Sequence, residues 1–290
     1  MLRIVETLSD PGIPGKANED AFGYTGDHAW VIDGATDVAD GPLIGAETGA
    51  HWLAHQASAL FAANAMRYGA DLRGLVRFTI ETLALRFERE RLRPPNGRHE
   101  WPSAAMALIH VGKGHAGEDK LACANFADCG LILLDDDSDE ARVFGVQHTS
   151  REARAMSRTA ALIAALVPGE KPFDNAAIMA YLRESRRRQN SDEGYWILGI
   201  DPEAVSHMRH WDIPLARPVT GLLFSDGFGS IVFDYHRMDP ATLVRRAAID
   251  GLRAIAAEVR RVEAMEDPDC HEYPRFKCHD DATAVLFRVE

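Results

Sequence analysis

Residues 121–137 read LACANFADCGLILLDDD. Two apolar runs stand almost back to back, with only ADCG between them. That spacing predicts neighbouring strands joined by a hairpin turn, and hairpins imply antiparallel sheet. Further apolar, β-rich runs lie outward from it: LRIVETL, HAWVID and AAMALIHV before, ARVFGV, TGLLFS and ATAVLFRV after. Between them the periodicity predicts helices over about 43–68, 72–92, 150–166, 174–188 and 240–262, with PPNGR breaking the chain after the second. Helices in separate blocks favour α+β over a doubly wound fold. Near-continuous apolar strands need cover on both faces. The expected fold is two mostly antiparallel sheets packed as a sandwich, flanked by helices on both sides, α-β-β-α.

Bulk properties narrow the function. The chain has 290 residues, 46% hydrophobic and 26% charged, with a net charge of −12. That length supports one sizeable core or two small ones. The acidic balance argues against a nucleic-acid partner, and it would repel a phosphorylated substrate unless cations sit in the site. No run approaches the ~18 apolar residues of a membrane span. The start, MLRIVETLSD, does not read as a signal peptide. Four cysteines do not make a disulfide framework. The expectation is a cytoplasmic protein with no membrane partner.

Acidic residues recur at the ends of the apolar runs. VIDGATDVADG, residues 31–41, places Asp33, Asp37 and Asp40 after one strand. GLLFSDG ends in Asp226, and HDDATAVLF begins with Asp280 and Asp281. If the last strand runs against the other two, these groups meet at one sheet end. Asp128 and the pair Glu19-Asp20 add to them. Two carboxylates ~4 Å apart cost roughly 4 kcal/mol at an effective dielectric of ~20. Among cations, only Lys16 and Lys277 lie near in sequence. All-oxygen clusters suit Mg²⁺ or Mn²⁺, and a pair of such ions can activate water against a phosphate. Taken one at a time, each Asp-Gly is also an ordinary turn signal.

In order along the chain, NEDAF, VIDGA, PSAAMALIHV, ANFADCGLILL, LLFSDGF and DDATAVLF resemble the motifs of the metal-dependent, type 2C serine/threonine protein phosphatases, the PPM family. The resemblance runs from about residue 15 to 289. It implies a helix-flanked β-sandwich forming one domain over 1–290, with a variable flap at about 150–200. It also implies a binuclear Mn²⁺ or Mg²⁺ centre that hydrolyses phosphoserine and phosphothreonine on protein substrates. Asp33 matches the metal-bridging aspartate, and the Gly34 carbonyl matches a ligand. Asp226 and Asp280 match the other direct ligands. Glu19 and Asp20 match the pair that holds metal-bound waters, and Asp128 a third, looser site.

The chain also departs from the pattern. Gly15 stands where the family has a phosphate-gripping arginine, with Lys16 beside it as the candidate substitute. Ala35 stands at the position of a histidine general acid, Thr36-Asp37 replace a glycine pair, and Ser230 replaces a second aspartate. Gly15, Ala35 and Ser230 favour an alternative, a catalytically weak phosphoprotein-binding or scaffolding module, and nothing in the sequence excludes a small-molecule phosphomonoesterase. Elsewhere, His51 and His55 are spaced i, i+4, and Cys270-His271 and Cys278-His279 repeat a Cys-His pair. Both are zinc-capable types, but packing or loop roles are the simpler reading. Arg186, Arg187 and Arg188 form either a docking patch or a charged helix end. Tyr195 and Trp196 read as core.

Overall fold

A computed structural model describes residues 1–45, 48–114, 117–146, 150–167, 169–215 and 218–290. Among these residues there are two five-stranded sheets. The first has the order β1-β10-β9-β6-β7. Its strands are β1 (Leu2–Asp10), β10 (Ala282–Val289), β9 (Val219–Phe224), β6 (Gly130–Asp135) and β7 (Arg142–Phe144). The second has the order β2-β3-β4-β5-β8. It contains β2 (Asp20–Thr25), β3 (His28–Gly34), β4 (Ala104–Lys113), β5 (Asp119–Phe126) and β8 (Arg209–Leu215). All pairings between these strands are antiparallel.

Strand alternation sorts the side chains into three layers. Ala29 and Val31 of β3, Ala107 and Ile109 of β4, and Leu131, Leu133, Leu223, Val285 and Phe287 fill the space between the sheets. On the outer face of the second sheet, Trp30, Ile32, Met106 and Leu108 pack on α1 (Gly49–Tyr68) and α2 (Leu72–Glu90). On the outer face of the first, Leu222, Phe224, Ala284 and Leu286 pack on α5 (Asp226–Phe233), α6 (Pro240–Asp250) and α7 (Leu252–Arg261). This is the α-β-β-α sandwich expected from the sequence.

Several local expectations change. β5 and β6 are not a hairpin. β5 pairs with β4 and β8, whereas β6 pairs with β7 and β9. The ADCG turn therefore crosses from one sheet to the other. Ala127 adopts φ 55° there, and the buried Asn125 amide donates to the Met106 and Cys129 carbonyls, at 3.0 and 2.7 Å. Two apolar runs in sequence look alike whether they pair or cross. The helix expected over 240–262 divides at Gly251, whose φ of 87° lies outside helical space. The Leu252 amide beyond it donates to Glu6 Oε2 at 3.0 Å, pinning α7 to β1. β8, RHWDIPL, escaped the sequence pattern because Pro214 and its charged residues mask it. It is an edge strand, where proline is tolerated.

The first helix begins at Gly49 rather than near 43, with Thr48 as its N-cap. Between β7 and β8, α3 (Ser150–Ile163) and α4 (Ala176–Arg187) share a small apolar cluster with the segment before β10. There Leu162, Ile163 and Ile178 pack with Cys270, Phe276 and Cys278. No helix among the described residues is long and apolar enough to cross a membrane.

Candidate metal centre

The site follows from strand period and sandwich geometry together. On β3, Ala29 and Val31 face the interlayer, so Asp33, two residues on, faces the same way at the open end. Asp20 is its cross-strand partner on β2 and shares that face. From the opposing sheet, β9 ends at Phe224 and leads through Ser225 into Asp226, the first residue of α5. β10 runs antiparallel to β9, so Asp280 and Asp281, just before it, arrive at the same end. The carboxylates thus gather at an end shared by two sheets, rather than along the edge of one.

Their electrostatics are severe. Asp20 is 2% exposed, and its Oδ2 has no hydrogen-bond partner among the described residues. Burial, reinforced by the charges of Asp280 and Asp281, pushes its carboxyl up to about 8; the nearby Ser225 and Thr283 hydroxyls offset part of this. Burial also drives Asp33 well above the carboxylate range, and the charges of Asp226, Asp20 and Asp280 add to it. Asp226 is raised by burial and by Asp280, while a hydrogen bond from Asp33 pulls it back.

Glu19 is fixed from three directions. Its amide donates to Asp281 Oδ2 at 2.6 Å, and its carbonyl accepts from the Gly34 amide at 3.1 Å. Its Oε2 accepts from Thr36 Oγ1 at 2.5 Å. A Cβ on Gly34 would lie 2.4 Å from the Glu19 carbonyl oxygen and 2.8 Å from that of Ala50, so only glycine lets β3, β2 and α1 approach this closely. Asp281 also accepts from the Gly12 amide, at 2.9 Å, and so ties the β1–β2 loop to β10.

The three aspartates of residues 31–41 divide their roles. Asp33 enters the cluster. Asp37 accepts from the Gly49 amide at 2.6 Å at the start of α1, and Asp40 pairs with Arg183 of α4. The intervening loop is held from both sides. Ala35 donates to the Ser103 carbonyl at 2.9 Å. Arg186 donates to Ser103 Oγ and to the Thr36 carbonyl, at 3.2 and 3.1 Å. Arg183 Nε donates to the Val38 carbonyl at 2.9 Å. Arg187 and Arg188 instead pair with Glu184 in solvent.

Other candidates fall in different places. Asp128 lies on the crossing turn, where its charge acts on Cys129 and Tyr195. Lys16 is exposed on the loop before β2. Among the described residues, Lys277 reaches the carboxylates, with Nζ 2.7 Å from Asp280 Oδ1 and 3.9 Å from Glu19 Oε2. Burial alone would lower its pKa, but the charges of Asp280, Asp33 and Glu19 outweigh that and raise it. His51 and His55 both reach the Asn18 carbonyl, at 2.8 and 3.2 Å, steadying the loop ahead of Glu19. The Cys270 and Cys278 sulfurs are 3.1 Å apart, while His279 turns to Glu263. Trp196 stacks on His207 with ring centroids 3.5 Å apart.

The donor set fits a hard divalent cation. It is all oxygen, carries excess negative charge, and leaves a buried oxygen of Asp20 unpartnered. It is not a closed cage: among the described residues, no three His, Cys, Asp or Glu side chains form a ready ligand set. Lys277 offsets part of that charge through its pair with Asp280. A surface hollow of about 360 Å³ opens beside Asp20, between β2 and α1, lined also by Ser9 and His55. A larger one, about 460 Å³, lies at the far end of β6 and β9, away from the carboxylates.

Two outcomes follow. Mn²⁺ at 100 times its Kd stabilises a folded chain by about 2.7 kcal/mol, so each such ion should raise melting by roughly 4–5 °C over melting in EDTA. Differential scanning calorimetry measures this, and overlapping transitions would count against cation binding. Thr36→Val removes the hydroxyl that orients Glu19 while keeping its shape. Lost support of this kind should weaken Mn²⁺ affinity about 10–100-fold, as measured by isothermal titration calorimetry.

No protein-family model matches the sequence, and a search of curated proteins finds no match. Solved structures do match along its length. The Mycobacterium tuberculosis serine/threonine phosphatase PstP/Ppp aligns at 16% identity over 100% of this chain and 99% of its own, with a TM-score of 0.58. The catalytic domain of PstP in complex with two manganese ions aligns at 16% identity over 100% and 99%, with a TM-score of 0.54. The PPM Ser-Thr phosphatase MsPP from Mycobacterium smegmatis, in complex with cacodylate, aligns at 18% identity over 97% and 96%, with a TM-score of 0.51. The likeness read from the sequence motifs is therefore present in three dimensions: this chain has the fold of the PPM-type serine/threonine phosphatases.

Proposed function

We propose that the chain is a metal-dependent phosphatase that hydrolyses phosphoserine and phosphothreonine monoesters on proteins. The observation that carries this reading is the buried, unpartnered Asp20 Oδ2 beside Asp33, with Asp226 just after β9 and Asp280 just before β10 at the same end. A full-length PPM fold around that cluster supports it. Asp33, Asp226, Asp280 and the Gly34 carbonyl would hold two Mn²⁺ or Mg²⁺ ions directly. Glu19 and Asp20 would hold them through water, with Asp128 beside a third, looser ion. Bound there, such a pair supplies positive charge for phosphate oxygens and acidifies a water near neutral pH.

The chain's own residues supply the frame. Thr36 fixes Glu19, while Ser103 and Arg186 hold the loop after Asp33. Lys16, three residues before Glu19, is the proposed point charge for the substrate phosphate. No protein nucleophile is required: Cys129, the thiol on which the charges of Asp33, Asp20 and Asp226 act, is buried, and burial raises it well above its usual range. The proposed whole is one domain over 1–290, working in the cytoplasm, with the flap at about 150–200 beside the groove.

The test is phosphate release from mixed phosphopeptides, with EDTA, Mn²⁺ or Mg²⁺. Metal-dependent release from phosphoserine and phosphothreonine peptides is expected. Tight peptide binding without turnover in excess Mn²⁺ would instead mark a binding module. Turnover confined to small phosphorylated metabolites would reassign the substrate.

A further inference from the structure

The Lys277 ammonium sits among groups assigned above to metal. Its side chain is 26% exposed; Nζ lies 2.7 Å from Asp280 Oδ1 and 3.9 Å from Glu19 Oε2. The field of Asp33 reaches it as well. One carboxylate oxygen in the same cluster, Asp20 Oδ2, is buried and unpartnered, so the tethered charge does not satisfy the whole site. Three structural features hold Lys277 there. Phe276, just before it, packs with Tyr181 of α4, ring centroids 6.1 Å apart. Cys278, just after it, belongs to the same apolar cluster as Ile163 and Ile178. Asp267 gathers the amides of His271, Glu272 and Tyr273 at 2.8–3.0 Å and the Arg275 guanidinium at 2.6 Å, shaping the whole segment.

The geometry points to Lys277 as a built-in cation that competes with a divalent ion for Asp280 and Glu19, weakening one of the cation positions in this chain. This rests on the reading of the cluster as a metal centre. An ammonium carries one charge on a flexible stem and donates from three hydrogens. It can neutralise Asp280, but it cannot bridge several carboxylates as a divalent ion does. Metal entry at that position must first break the Lys277–Asp280 pair. Because its neighbours Phe276 and Cys278 pack on the flap helices, the position of the ammonium is tied to how the flap sits.

The experiment titrates Mn²⁺ into the EDTA-stripped full chain by isothermal titration calorimetry, with paramagnetic resonance counting bound ions. Wild type, Lys277→Met, Lys277→Gln and Lys277→Arg are compared. Removing a competing unit charge a few ångströms from the ligands should tighten the weaker Mn²⁺ site by about tenfold or more in Met and Gln. Arg should stay near wild type. Circular dichroism melts check folding, and the Gln variant serves if Met misfolds. Wild-type Mn²⁺ binding unchanged or weakened in both neutral variants would overturn the competition while leaving the metal centre standing. An absence of Mn²⁺ binding in every form would overturn both readings. A normal Mn²⁺ isotherm in Lys277→Met with lost binding of inorganic phosphate would make Lys277 a phosphate contact and likewise overturn the competition.

Discussion

Asp33→Asn and Asp226→Asn should each abolish metal-dependent phosphate release, by at least about a thousandfold, the equivalent of roughly 4 kcal/mol of transition-state stabilisation. Asparagine keeps the size and the pleat but removes a unit of negative charge from the cluster. The same variants should behave oppositely in stability. Without metal, Asp33 is crowded by Asp20, Asp226 and Asp280 at a buried position, and relieving that crowding should raise the melting temperature of the metal-free chain. Mn²⁺ should no longer raise the melting temperature. Loss of activity together with loss of metal-free stability would mark Asp33 as an ordinary structural residue. Equal turnover in wild type and both variants would remove the metal centre altogether.

Asp267→Ala should be among the most damaging substitutions outside the cluster, costing about 3–5 kcal/mol because it strands the Arg275 guanidinium. The Asp267 side chain is 5% exposed and that of Arg275 is 16% exposed. Three backbone amides lose their acceptor at the same time. Since this segment leads into Lys277 and Asp280, Mn²⁺ affinity should fall with stability, which urea unfolding and calorimetry together would show. Burial alone would raise Asp267, but the Glu272 and Tyr273 amides and Arg275 outweigh it and hold the carboxyl below the usual carboxylate range. The sign follows. Its contribution is present above the unfolded value of about 3.9 and is lost as pH falls through the lower folded value. Wild type should therefore lose this stability only in strong acid, and Asp267→Ala should show a flatter acid limb.

The legible part of the site was the part written in strand endings. HAWVIDG, GLLFSDG and HDDATAVLF each place an aspartate where an apolar run stops or starts, and strand polarity alone brings such ends together. The residues that support these aspartates carry no such mark. Thr36, Ser225 and Thr283 are ordinary small polar residues in sequence. Their roles come from Glu19 and Asp20 standing opposite them after folding. Asp37 and Asp40 look equivalent to Asp33 in sequence, yet one accepts from the Gly49 amide at the start of α1 and the other pairs with Arg183 of α4. Lys277 was visible as a nearby cation, but nothing local distinguishes it from Lys16, which stays exposed.

The sequence by itself determined the layers. Period-two apolar strands, separate helical blocks and acidic strand ends leave few arrangements other than a covered sandwich with charge at one end. Only the tertiary structure decided that the ADCG turn changes sheets, that the last helix divides at Gly251, and which cation meets the carboxylates. The physical reason is range. Burial pattern is set within a few residues, whereas sheet assignment and ion pairing depend on contacts between segments far apart in the chain, such as Glu19 with Lys277 and Glu6 with Leu252.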